Sequence, residues 1–208
     1  MGVTVDVAYK SLNKFNEVLC GDKVELLQTE DSNIMILADG MGSGVKANIL
    51  ATLTSKILGT MFLNGATLEE CVETIVETLP VCQVRQVAYS TFSILQVFHN
   101  GDAYLVEFDN PSCIFIRAGQ LVPIPQNIRV IQNKKINEYR FRVKKGDALI
   151  LMSDGDPRRS RSALKLRLAV GRYCRLCAET VPGHHLRDPS GYSTQPGLRR
   201  TVPVPAGR

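Results

Sequence analysis

Two aspartates stand directly after apolar runs. Asp39 follows Ile34 to Ala38, and Asp154 follows Ala148 to Met152 with Ser153 between; each is then followed by glycine. A buried strand that ends in Asp-Gly delivers a carboxylate rigidly to the rim of a sheet, and the glycine allows close backbone approach. Asp22, in Cys20-Gly21-Asp22, adds a third carboxylate in a similar setting. Carboxylates brought together repel unless a divalent cation holds them, and hard oxygen ligands suit Mg²⁺ or Mn²⁺. Taken alone, each Asp-Gly reads as a turn, as that dipeptide usually does. Convergence of the three acids is what would make a metal centre.

The glycine loop Gly40-Met41-Gly42-Ser43-Gly44-Val45-Lys46-Ala47 offers a rival. Gly42-x-Gly44-x-x-Ala47, after a strand and before a helix, fits a loose dinucleotide fingerprint. No acidic residue ends a second strand about 20 positions further on, and Asp39 would repel a pyrophosphate unless a metal intervened. Lys46 is followed by Ala47 rather than Ser or Thr, so the loop is not a P-loop. A helix N-terminus beside a metal-binding aspartate favours a phosphoryl group held through the cation. Cys174-x-x-Cys177 with His184-His185 is half of a zinc pattern, without the second pair placed further away. Cys20, Cys71, Cys82 and Cys113 stand alone in apolar surroundings and read as small buried hydrophobes.

The elements that must position these groups follow from hydrophobic period. Val3, Val5 and Val7 alternate with polar residues as a half-buried strand does, and Lys23 to Gln28 and Ile34 to Ala38 are further strands. Between Val45 and Phe62, Ile49, Leu50, Leu53, Ile57, Leu58 and Met61 recur at helical spacing, which predicts an amphipathic helix with this stripe as its core face. Thr67-x-x-Glu70 reads as a capping box, starting a second helix that Pro80 stops. Strands are then expected at Thr91 to Phe98, Ala103 to Phe108, Cys113 to Arg117, Glu138 to Val143 and Ala148 to Met152. Turns fall at Asn100-Gly101 (read as type I′), Asp109-Asn110-Pro111 and Lys145-Gly146-Asp147. His99 falls at a hairpin turn and reads as a surface residue. Strands, two helices and then hairpins predict an α+β domain of antiparallel sheets flanked by helices.

Composition sets the outer bounds. The chain has 208 residues, 44% hydrophobic and 22% charged, ordinary globular usage that fits one domain, or one with an appendage. Its apolar runs reach about five residues where a membrane span needs about 20, and no secretory pattern opens it, so a cytoplasmic protein is expected. The net charge of +5 is uneven: residues 156–208 carry eleven basic and three acidic groups, leaving residues 1–155 at −3. Six of ten prolines also follow residue 156, and Ile, Phe, Met and Asn vanish there. The expected division is a domain over 1–155 and an Arg/Pro-rich, poorly ordered tail over 156–208, of the kind a frameshift in a GC-rich gene produces. A basic arm for nucleic acid is the weaker reading, because the tail lacks interleaved aromatics. A helix over Ser162 to Cys177 is possible on its apolar residues.

The run from Gly21-Asp22 through Ile36-Leu37-Ala38-Asp39-Gly40-Met41-Gly42-Ser43-Gly44-Val45-Lys46-Ala47 resembles the SpoIIE-like branch of metal-dependent serine/threonine phosphatases, of the protein phosphatase 2C fold. Gly146-Asp147-Ala148-Leu149-Ile150-Leu151-Met152-Ser153-Asp154-Gly155 resembles that family's second signature. The resemblance covers residues 1–155 and implies a four-layer αββα sandwich, two antiparallel sheets flanked by helices. It further implies that Asp39 bridges two Mn²⁺ or Mg²⁺ ions with the Gly40 carbonyl on one. Asp22 then holds the second ion, directly or through water, and Asp154 ligates the first. Water activated by the two metals would hydrolyse phosphoserine or phosphothreonine in a regulatory protein, of anti-anti-sigma type, with Asp39 and Asp154 as the catalytic pair. Thr91 and Ser93 fall in a core strand of the family and read as structural. The chain departs from the family after Gly155, where the closing strand and its paired Asp-Asp are absent. The fold is therefore expected to be incomplete at the C-terminus and the activity impaired. The alternatives are a non-catalytic phosphoprotein-binding domain and, less well supported, a dinucleotide-binding enzyme.

Overall fold

The computed structural model describes residues 3–9, 11, 17–78, 81–82, 87–88, 90–153 and 199–201. In chain order the elements are β1 (Asp6–Ala8), β2 (Asp22–Gln28), β3 (Ser32–Gly40), α1 (Gly44–Leu63) and α2 (Leu68–Thr78). There follow β4 (Val81–Cys82), β5 (Val87–Ala88), β6 (Ser90–Phe98), β7 (Asp102–Phe108), β8 (Ile114–Arg117) and β9 (Gln120–Leu121). The last are β10 (Gln126–Ile131), β11 (Lys134–Arg142), β12 (Ala148–Ile150) and β13 (Arg199–Thr201). Asp154, the possible helix over 162–177 and the Cys174/Cys177 pair lie outside the described residues.

Eight of the nine residues of β3 are buried, and Asp39 is the exception. Its alternate side chains build two separate cores, as a strand covered on both faces requires. Ile34, Ile36 and Ala38 pack with Leu58 and Phe62 of α1 and Cys71, Val72 and Ile75 of α2. Met35 and Leu37 pack with Phe115, Leu149 and Leu151 of the second sheet. The first sheet has six strands in the order β10-β11-β7-β6-β3-β2, and the second has three, β12-β8-β9. The fold is α+β with two antiparallel sheets, as expected. Among the described residues it supplies three of the four expected layers, because no helix covers the outer face of the second sheet. Among the described residues every strand pairing is antiparallel, and none of them forms the parallel β-α-β unit that a dinucleotide-binding loop needs.

Two local readings are corrected. The first concerns α1, whose buried face is Ala47, Ala51, Thr54, Ser55, Leu58, Gly59 and Phe62, while Val45, Ile49 and Leu53 are exposed. Small residues win this face because the helix must approach β2 and β3 closely; a methyl at Gly59 would touch Leu27 at 3.4 Å. At Asn100-Gly101 only Gly101 has positive φ, and its amide bonds the Phe98 carbonyl at 2.9 Å. That is a three-residue loop with the glycine in the left-handed position, not a type I′ turn. The type I′ signature instead falls at Gln132 and Asn133, with φ of 46° and 63°, joining β11 to the unforeseen strand β10. The capping box holds: the Glu70 carboxylate accepts from the Thr67 amide at 2.8 Å, and the Thr67 hydroxyl accepts from the Glu70 amide at 3.3 Å.

Between the sheets β7 buries Glu107 completely. Its carboxylate accepts from the Tyr139 hydroxyl at 2.9 Å and the Cys113 amide at 2.6 Å. Burial outweighs these donors and raises its pKa. The folded state therefore holds this proton more tightly than the unfolded chain does. That contribution to stability is complete below the unfolded value of about 4.3 and is lost as pH rises through the raised folded value. Urea unfolding across this range is expected to show a flatter pH dependence for Glu107→Gln than for the parent. An unchanged slope would assign the pH dependence to other groups.

Candidate metal and phosphoryl site

The β2–β3 hairpin determines the first contact of the site. Its antiparallel register sets Asp22 opposite Asp39, so the two side chains leave the same face with Cβ atoms roughly 5 Å apart. That face is the one Met35 and Leu37 turn toward the second sheet, and both acids are partly exposed at its rim. Two carboxylates so close are mutually unfavourable without a cation. Their joint field is visible at Cys20. Burial first, and then the charges of Asp22 and Asp39, push its thiol above the ordinary value, so it stands there as a neutral group.

Hydroxyl and amide groups surround the pair. Ser153, at the end of the segment that leaves β12, donates its hydroxyl to the Asp22 carboxylate at 3.0 Å and is almost completely buried. Ser90 donates to the Asp39 carbonyl at 2.9 Å. Thr91 lies opposite Asp39 in the β3–β6 register and donates to the Asn110 side-chain oxygen at 2.8 Å, while the Asn110 amide donates to Ser93 at 3.0 Å. The sequence marks Ser153 only as a member of the second signature and Asn110 only as part of a turn, and it gives no signal for Ser90. His99 sits at the other end of β6, bonded to the Asp31 carbonyl, away from the acids.

Glycines let the helix reach this rim. The Gly40 amide bonds the Gly21 carbonyl at 3.1 Å, and a methyl at Gly40 would run into the Ala47 carbonyl of α1. Gly44 opens α1 with φ of 63°, and a side chain there would collide with the Glu17 carboxylate. Glu17 thus lies against the positive end of a helix that has no acid of its own in the first turn.

The donors present fit hard divalent ions. Asp22 and Asp39 offer carboxylate oxygens at one point, and the Gly40 backbone adjoins them. Among the described residues no third acidic, His or Cys side chain completes a metal-binding group; Asp154, expected to do so, lies outside them, directly after Ser153. A cleft of about 1180 Å³ exists elsewhere, lined by Asp31, Phe62, Tyr104 and Arg140. It is at the far end of the β2–β3 hairpin and touches neither carboxylate. No helix among the described residues is long and apolar enough to cross a membrane.

A sequence model described as stage II sporulation protein E (SpoIIE) matches residues 29–173, extending past the compositional break at 155. No curated protein matches the chain in sequence. Among solved structures, a phosphatase domain of the Bacillus subtilis cell fate determinant SpoIIE, with a fragment of its regulatory domain, superposes with TM-score 0.63 at 19% identity. That match covers 74% of this chain and 46% of the other. The RsbU and RsbW domains of a Mycobacterium tuberculosis protein match with TM-score 0.57 at 17% identity, over 74% and 45%. RsbX in complex with magnesium matches with TM-score 0.53 at 22% identity, over 70% and 71%. This chain spans less than half the length of the first two. At these identities the superpositions establish the fold.

Proposed function

Since the chain belongs to the SpoIIE family, whose phosphatase-domain fold it shares, we propose that it hydrolyses phosphoserine or phosphothreonine in a regulatory protein, using two Mn²⁺ or Mg²⁺ ions. The observation that carries this reading is the direct opposition of Asp22 and Asp39 at the sheet rim, with Ser153 bonded to Asp22. Asp39 would serve both ions, with the Gly40 carbonyl on one of them, Asp154 on the first and Asp22 on the second. Bound there, divalent ions supply the acidity that activates water and the positive charge that phosphoryl transfer needs. The chain's own groups do the rest. Asp22 and Asp39 are presented from paired strands with little freedom to move, Ser90 fixes the backbone at Asp39, and the adjoining start of α1 offers amides toward an anion.

On this reading residues 1–155 carry the phosphatase unit, the 156–208 tail takes no part in hydrolysis, and the protein works in the cytoplasm. Its substrate would be a phosphorylated partner of anti-anti-sigma type, with no role for membrane or nucleic acid. The purified full chain is expected to release phosphate from p-nitrophenyl phosphate and a phosphoserine peptide with Mn²⁺. EDTA should stop the reaction, and added Mn²⁺ should restore it. Hydrolysis untouched by EDTA contradicts the proposal. Phosphopeptide binding without turnover, by folded and metal-loaded protein, selects the non-catalytic binding domain instead.

A further inference from the structure

The hydrogen bond from Ser153 to Asp22 joins residues 131 apart in sequence and crosses from one sheet to the other. Asp22 begins β2, the edge strand of the six-stranded sheet, and Ser153 follows β12, an edge strand of the three-stranded sheet. The start of β12 is itself clamped. Asp147, nearly fully buried, takes a two-pronged contact from Arg117 at 2.9 and 2.7 Å and a bond from the Lys144 amide at 2.7 Å. Leu149 and Leu151 then anchor the segment in the core between the sheets. Ser153 therefore reaches Asp22 from a backbone anchored just before it, through Asp147, Leu149 and Leu151, and its side chain is largely buried. A donor placed this way restricts the rotamer of the carboxylate it touches.

We infer that Ser153 is a positioning residue for the metal site: its hydroxyl orients Asp22 and so couples closure of the two sheets to affinity for the ion that Asp22 holds. The inference rests on the proposed metal site and adds to it a residue that ligates nothing. Hydrogen bonds to ligating carboxylates typically contribute about 10- to 100-fold in metal affinity.

The test is a calorimetric Mn²⁺ titration of the full chain, read beside thermal unfolding without metal. Ser153→Ala is expected to weaken Mn²⁺ binding about tenfold, while Ser153→Thr, which keeps the hydroxyl, binds within about threefold of the parent. In an Asp22→Ala background Ser153→Ala should change the affinity no further. An equal loss in both backgrounds, or full affinity in Ser153→Ala, overturns the inference. Should Ser153→Ala fail to fold, Ser153→Cys, which has a poorer donor of similar shape, is expected to show the same loss, and undiminished affinity there overturns it too. Asp39→Asn separates the two ideas. If Asp39→Asn loses Mn²⁺ binding while Ser153→Ala retains it, only the positioning role fails. If the parent binds no Mn²⁺, the metal reading fails and takes this one with it.

Discussion

Asp39→Asn is expected to lower Mn²⁺-dependent phosphate release by at least about 10²- to 10³-fold, the scale on which removal of one group that stabilises transition-state charge is felt. Asparagine keeps the size and shape of the side chain, and Asp39 is the partly exposed residue in an otherwise buried strand, so the loss cannot be assigned to packing. The same substitution removes one of two facing negative charges. Metal-free stability is therefore expected to hold or rise slightly, because the repulsion with Asp22 is relieved. Activity falling while the metal-free melting temperature does not is the signature of a ligand. Both falling together would mark Asp39 as structural. Activity persisting near the parent's level would remove it from the site.

Gly40→Ala is expected to be the most destabilising single substitution in this region. The added methyl would meet the backbone carbonyl of Ala47, not the end of a flexible side chain, so α1 must move away from β3. That helix supplies Ala51, Leu58 and Phe62 to the core. A cost of about 3 kcal/mol is expected, at the upper end for overpacking, or a fall in melting temperature of roughly 10 °C for a domain of this size. Gly42→Ala is the matched control. Gly42 has open space around it but φ of 105°, so only backbone strain of about 1–2 kcal/mol is at stake. Urea titration of both variants checks the order. A Gly42→Ala variant less stable than Gly40→Ala would contradict the close helix–sheet approach on which the shape of the rim depends.

Where local chemistry decides the structure, the sequence was readable. The Thr67–Glu70 box satisfies its own helix start, and the apolar run through Ile36 and Leu37 has no alternative to burial between two layers. The acids Asp22 and Asp39 could be singled out because each adjoins a glycine at a strand end. Their opposition could not, since it depends on the register of a hairpin whose turn, Thr29 to Ser32, is set by hydroxyl contacts such as Thr29 with Asp31 at 2.7 Å. The face of α1 was misread because hydrophobic period finds large side chains, whereas close packing selected alanine, glycine, serine and threonine. Strand β10 escaped notice because its alternation is short and inverted, with Ile128 and Val130 exposed and Arg129 partly buried. Ser90 and Ser153 are ordinary polar residues until the fold brings them to Asp39 and Asp22, as Asn110 is until it meets Thr91 and Ser93.

Electron paramagnetic resonance of Mn²⁺ added to the purified full chain tests the central claim most directly, because it counts bound ions whether or not a substrate is known. The account predicts up to two ions bound per chain, with binding lost or strongly weakened in both Asp22→Asn and Asp39→Asn. A folded parent that leaves all the Mn²⁺ free in solution, or variants that bind as the parent does, would contradict it.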